Sequence, residues 1–283
     1  MFRSKLRQIL RFFLDTFFHF SYHYGFIKAA ALSYFAFLTF IPIILLFIYA
    51  LGLFLQSNTL IIEWILGLVK QFTPTGFDSI SQLIQTTMKL ASSSSYIGFI
   101  GLVWSLLIFF SALEANFNQV WEVKKRRPFI ISKLVGLGLM SLLMLSALLT
   151  FLITNLLMLF LKPENWSFLS KYPIFTTLPN TLIYFLQIIL LLIVFFLIYK
   201  IIPTIKVRTR AALGGALFAT FAGELARIGY RLYIQRFPVR NLLYGSLLTA
   251  VVLLIWLNYT MIILLLGCEV SHAIQKKLDA THE

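Results

Sequence analysis

Glu224, Arg227 and Arg231 follow one another at intervals of three and four, a spacing that places all three on one face of a helix. A carboxylate beside two guanidiniums has two readings. The plainer is a structural pair, because an unpaired charge in an apolar segment is costly. In the other, Glu224 neutralises one arginine and the remaining donors grip a phosphate or carboxylate through paired N–H groups. Two further acids stand at or near the ends of apolar runs. Glu114 leads into Asn116, Asn118, Gln119 and Glu122 and then the Lys124 to Arg127 run; its plainer reading is an interfacial residue paired with those cations. Glu269 is expected to face the cytoplasmic interface near Lys276 and Lys277. An ionisable group within a membrane helix is a functional hypothesis by default. The candidate substrate-binding set is therefore Glu224, Arg227, Arg231, Glu114, Asn118 and Glu269.

Enzymatic chemistry is poorly served. No Walker loop, nucleophile elbow or HExxH motif occurs, and no grouping of acids resembles a two-metal nuclease site. No catalytic residue and no cofactor is expected. Asp15, His19 and His23 recur every fourth residue, as metal ligands on a helix can, but Arg3, Arg7 and Arg11 continue the same stripe upstream. That marks a solvated polar face, and no metal is expected. One cysteine, Cys268, removes a disulfide framework and any cysteine-based zinc or iron–sulfur cluster.

The elements that must position these residues are membrane helices. The chain has 283 residues, 60% of them hydrophobic and only 12% charged, with mean hydropathy +0.89. A soluble domain has about 25% charged residues. Six apolar runs have few charges: Ala29 to Leu55, Tyr96 to Leu113, Leu134 to Leu161, Leu178 to Ile202, Ala211 to Ala226 and Leu242 to Gly267. A helix needs about 20 such residues to cross the hydrocarbon core. The fifth run falls short of this and ends at Glu224 with Arg227 directly after. The first is too long for the apolar core of a cleavable signal peptide, and other spans follow it. The net charge of +14 would suggest nucleic acid in a soluble protein, but here the basic residues cap apolar runs, where they orient spans and meet anionic head groups. No nucleic-acid partner is expected. With the N-terminus inside, 16 of the 24 Lys and Arg fall on the inner side, so both termini are expected in the cytoplasm. Arg227, Arg231, Arg236 and Arg240 are the exception, crowding the connection after the fifth run. Either that run is not a simple crossing, or these arginines have a task that outweighs the bias.

Pro42 in the first run and Pro203 after the fourth are the expected helix breaks, which bend a span or help to build a site. Gly215, Ala219 and Gly223 form a small-residue stripe that lets another helix approach closely, within one chain or across a homo-oligomer. Residues 1–28 read as a basic amphipathic helix in the membrane interface, with Leu6, Ile9, Leu10, Phe13 and Phe17 on its apolar face. Residues 29–267 form the membrane domain and 268–283 a cytoplasmic tail. The Gln56 to Ser95 connection is too long for a featureless loop and is expected to hold two short amphipathic helices around Thr73, Pro74, Thr75 and Gly76. The fold class is all-α and polytopic, with no internal repeat.

The order of several weak motifs resembles the YihY/BrkB family of bacterial inner-membrane proteins, early members of which were mislabelled ribonuclease BN. In the first run stand Ala31-Leu32-Ser33-Tyr34, Thr39 and Pro42; then come Asn118-Gln119-Val120-Trp121 with Arg127-Pro128, and Pro203-Thr204-Ile205-Lys206-Val207. Gly215-Ala216, Glu224, Arg227, Gly229, Tyr233, Phe237-Pro238, Tyr244-Gly245, Trp256, Gly267 and Glu269 complete the pattern, which leaves Arg231 outside it. The resemblance implies a six-span helical protein of the bacterial inner membrane and supplies no activity.

The leading functional expectation is a transporter or flippase for an anionic or amphipathic small molecule or lipid, in contact with membrane lipids and their anionic head groups. The alternative is a structural or assembly factor of the cell envelope. A membrane-bound ribonuclease ranks third.

Overall fold

The computed structural model describes residues 2–39, 95–125, 127–160, 173–236 and 245–280. Among them lie α1 (Phe2–Tyr22), α2 (Gly25–Thr39), α3 (Ser95–Val120), α4 (Phe129–Phe160), α5 (Pro173–Ile201), α6 (Thr209–Arg236) and α7 (Gly245–Ala280). The described residues contain no strand. Helices satisfy every backbone polar group within one segment, as apolar surroundings require. The first expected span beyond Thr39, with Pro42, lies outside the described residues. So do the two amphipathic stretches expected between Gln56 and Ser95, and Phe237, Pro238 and Arg240.

Four stretches are long and apolar enough to cross a membrane: Phe129–Ile153, Thr181–Ile201, Thr209–Leu232 and Ala250–Ala280. They overlap the third to sixth expected runs. The second run lies in α3, and the first begins in the shorter apolar α2. Two boundaries differ from expectation. The fifth run does not stop at Ala226: α6 continues to Arg236, so that Glu224, Arg227 and Arg231 are interior helical residues and not part of a connection. Hydropathy falls there, but the backbone ladder is indifferent to side-chain polarity once Glu224 and Arg227 neutralise each other. Likewise α7 passes Gly267 unbroken, and residues 268–280 of the expected tail are its last turns.

α7 is the hub, touching α1, α3, α5 and α6; α4 packs on α3 and α5, and α6 packs most closely on α7. Small residues make that last contact. Ala212, Ala216 and Ala219 are buried, whereas Leu213, Leu217, Phe221 and Leu225 are exposed on the opposite face of the same helix. Large side chains outside and small ones inside invert the soluble pattern, as expected where the surroundings are lipid and close backbone approach drives association. A Cβ on Gly215 would lie 2.6 Å from the Gly267 carbonyl, and one on Gly267 would meet the Tyr199 hydroxyl. Tyr199 is buried, stacks between Phe117 and Phe195 and donates to the Leu264 carbonyl at 3.0 Å. The small-residue stripe thus packs within the chain at Gly215 and Ala219. Gly223 takes no part, having nothing among the described residues within 4 Å of its Cβ position.

The antiparallel order brings the α3–α4 and α5–α6 corners, the end of α7 and the α1–α2 corner to one pole. At that pole Arg208 donates to Leu278 and pairs with Asp279 at 2.9 Å. Lys277 sits 4.2 Å over the Phe12 ring. The α3–α4 corner turns through Glu122, whose φ of 49° is left-handed. Glu122 N–H donates to Gln119 and Val123 N–H to Asn118, the paired bonds of a Schellman cap. α1 and α2 meet at a corner where Tyr24 has φ 56° and the Phe20 ring occupies the space of a Gly25 Cβ. α1 buries Thr16 and Phe20 and leaves Phe17 exposed beside Leu14 and Phe18, so the expected apolar face does not lie wholly against the bundle.

Candidate functional site

The six sequence-nominated residues fall into three clusters. The first lies between α5 and α6. Glu224 Oε2 accepts from Arg227 Nη2 at 2.7 Å and from the Tyr184 hydroxyl at 3.0 Å. The Arg227 guanidinium also lies 5.0 Å over the Tyr184 ring, combining an ion pair with a cation–π contact. By the 1.5 Å rise per residue, Glu224 stands about 22 Å and Arg227 about 27 Å along α6 from its start at Thr209. The pair therefore occupies the half of the bundle remote from the basic pole. Arg227 Nε is buried and has no hydrogen-bond partner among the described residues. Arg231 is exposed, one turn further on.

The second cluster, at the basic pole, holds Glu114 and Asn118. Glu114 accepts from Ser132 and pairs with Arg127 at 3.7 Å. The same Arg127 guanidinium donates to the carbonyls of Ile201, Ile202 and Pro203 at 2.9–3.2 Å. Those oxygens belong to the end of α5, where a helix leaves its last carbonyls unpaired. α5 stops at Ile201, two residues before Pro203, as the restriction on the residue preceding proline dictates. Asn118 is buried and its Oδ1 accepts from Thr204 N–H at 2.9 Å. Lys133 donates to Ser111. Beside Glu114, a recess lined by Phe110, Ser132, Gly136, Leu139 and Ile202 has room for about one water molecule. Arg127, Glu114 and Asn118 here tie α3 and the α3–α4 corner to the end of α5.

The third cluster overturns the expectation for Glu269. It does not face an interface near Lys276 and Lys277 but is 4% exposed, with His23 Nδ1 at 3.1 Å. Lys28 lies near the same carboxylate; burial pulls its amine below the ordinary lysine range, and the Glu269 charge acts in the opposite direction. Lys28 Nζ has no hydrogen-bond partner among the described residues. His272 packs against Trp121, ring centroids 5.1 Å apart. This cluster anchors the α1–α2 corner on α7. Among the described residues no three His, Cys, Asp or Glu side chains are placed to hold a metal ion.

Tyr184 was missed by sequence reasoning, being 40 residues from Glu224 with no local signal. Arg127 was visible only as one cation in a run. His23 was read as part of a solvated stripe, although it lies one turn before Lys28 at the boundary of the first apolar run, a position that favours burial of one face.

Helices with large apolar side chains outward, small ones between them and ion pairs placed along their length define an integral membrane protein of the polytopic helical class. The chain belongs to the family described as virulence factor BrkB, matching it over residues 16–283. Among its relatives, a UPF0761 membrane protein of Enterobacter sp. (strain 638) is 32% identical over 200 residues, which cover 71% of this chain and 66% of that one, just under two thirds of its length. A UPF0761 membrane protein of Pseudoalteromonas atlantica is 26% identical, over 88% of this chain and 81% of its own. The UPF0761 membrane protein YihY of Salmonella typhimurium is 30% identical, over 71% and 66% respectively. None of these three carries an enzyme's name. No solved structure matches the chain.

Proposed function

We propose that this protein is a six-span inner-membrane transporter or flippase for an anionic or amphipathic molecule, with both termini in the cytoplasm and the basic pole facing inward. One observation carries the reading. Arg227 lies within an apolar helix, paired with Glu224, and its buried Nε has no hydrogen-bond partner among the described residues. A guanidinium offers five donors in a rigid fork, and leaving one buried and unused costs about 1–3 kcal/mol. An anion of two or more oxygens removes that cost on binding. The gathering of the basic corners at one pole supports the orientation, since basic connections are retained inside.

The test is complementation of a deletion strain's envelope and export phenotypes. Arg227→Gln and the paired Glu224→Gln/Arg227→Gln variant are expected to fail at wild-type protein level. Full complementation by both removes the transporter reading and leaves a structural or assembly role. Orientation is tested separately, by labelling single cysteines at Arg231 and Lys125 in intact cells after Cys268 is replaced. Reagent applied outside is expected to reach position 231 and not position 125. The reverse pattern inverts the topology.

A further inference from the structure

The Tyr184, Glu224 and Arg227 cluster opens sideways. Tyr184 is 38% exposed, and Phe185 beside it on α5 is exposed too, as are the apolar side chains three residues before and four after Glu224 on α6, Phe221 and Ile228. The opposite face of α6 is closed by Ala216, Ala219 and Gly215 against Gly267. A ligand that reaches Arg227 along this flank must therefore be compatible with hydrocarbon over most of its length and anionic at one point. Depth sharpens this. Arg231 stands about 33 Å along α6 from Thr209, near the far boundary of a ~30 Å hydrocarbon layer, and Arg227 one turn deeper at about 27 Å. Two guanidiniums about 6 Å apart along the helix thus step from head-group level to just below it.

The geometry points to a lateral phospholipid site: the α5/α6 flank binds the head-group phosphate of a lipid from the leaflet remote from the basic pole. Arg231 receives the phosphate and Arg227 draws it one turn inward, with the acyl chains lying along Phe221 and Ile228. Charge complementarity selects the occupant, since phosphate takes bidentate donors from a guanidinium and the surrounding side chains match acyl chains. Glu224 holds Arg227 and, by its own charge, keeps the attraction from becoming a permanent trap. The Tyr184 ring shields the guanidinium from the hydrocarbon while the site is empty. This deepens the anion-handling reading and rests on it.

The experiment titrates the full-length protein in detergent with dioleoyl phosphatidylglycerol, read by native mass spectrometry, with dioleoyl glycerol and inorganic phosphate as comparison probes. Phosphatidylglycerol is expected to bind at least ten-fold more tightly than dioleoyl glycerol. Arg231→Gln, an exposed position that leaves the fold intact, is expected to weaken it at least three-fold. Glu224→Gln/Arg227→Gln, which removes both charges and strands neither, should weaken it at least ten-fold. Equal binding of phosphatidylglycerol by wild type and both variants overturns the site. Inorganic phosphate that competes at millimolar concentration also overturns the lateral lipid site, while leaving an anion-handling protein in place. Variants that lose lipid binding yet complement fully sustain the site and sink the transporter reading; variants that keep lipid binding but fail to complement do the opposite.

Discussion

Two arginine–glutamate pairs stand at opposite poles of the bundle and put the same chemistry to different use. Arg127 spreads its guanidinium over Glu114 and three carbonyls at and just beyond the end of α5, so that one side chain ties α3 to the end of α5. Arg227 gives Glu224 a shorter contact, 2.7 Å against 3.7 Å, yet carries a buried Nε without a hydrogen-bond partner among the described residues. Separation of the charges therefore does not reveal the role of a pair; the use made of the remaining donors does. An arginine whose fork is taken up by backbone carbonyls serves as a brace, whereas one with an unused buried donor leaves part of its hydrogen-bonding capacity unmet.

The largest predicted effect tests that distinction directly. Removing both charges of a buried pair is often close to neutral, because the desolvation cost disappears with the attraction. Glu224→Gln/Arg227→Gln is accordingly expected to change stability by no more than about 1 kcal/mol. Glu114→Gln/Arg127→Gln also uncaps α5, and three carbonyls losing charged donors should cost about 3–5 kcal/mol. Denaturant or thermal unfolding in one detergent ranks the two. Equal losses would abolish the comparison.

Second in size is the contrast between the closely packed Gly215 end of α6 and its Gly223 end. Gly215→Ala places a methyl 2.6 Å from the Gly267 carbonyl and 2.8 Å from Ser271 Cβ, and backbone cannot yield as a flexible side chain can. A loss of about 1–3 kcal/mol is expected. Gly223→Ala meets nothing within 4 Å and gains helix propensity, so a change of about 0 to +1 kcal/mol, stabilising in sign, is expected. If both substitutions cost the same, the Gly223 end of α6 is as tightly packed as the Gly215 end, and the lateral opening would be lost.

These pairs also show how far the sequence could be read. The i, i+3 spacing of Glu224 and Arg227 is local and is sufficient to bring them together. The partner that turns the pair into a surface-facing cluster, Tyr184, comes from another helix and leaves no local trace. Glu269 and His23 are 246 residues apart, and each has a plausible solvated reading when taken alone. Hydropathy located the four apolar helices long enough to cross a membrane because the ability to sit in lipid is an averaged property of about 20 residues. It misplaced the end of α6, because a neutralised ion pair interrupts the average without interrupting the hydrogen-bond ladder. Arg127 was hidden for a different reason: its acceptors are backbone carbonyls, which every residue carries and no residue type announces.

The smallest effect concerns how Arg127 reaches its place. The chain leaves α3 through Glu122 in the left-handed region, and this turn directs the basic run back toward α5. A residue with a Cβ is strained there by about 1 kcal/mol relative to glycine. Glu122→Gly relieves that strain but gives the unfolded chain more freedom, an opposing term of about 0.4–1 kcal/mol. A net gain below about 0.5 kcal/mol is expected, read as a rise of at most about 2 °C in the melting temperature. A fall larger than that would mean that the Glu122 carboxylate, and not the backbone turn alone, holds the corner. The network around Arg127 would then extend to the charges at the end of α7, and its contrast with the incomplete Arg227 pair would widen.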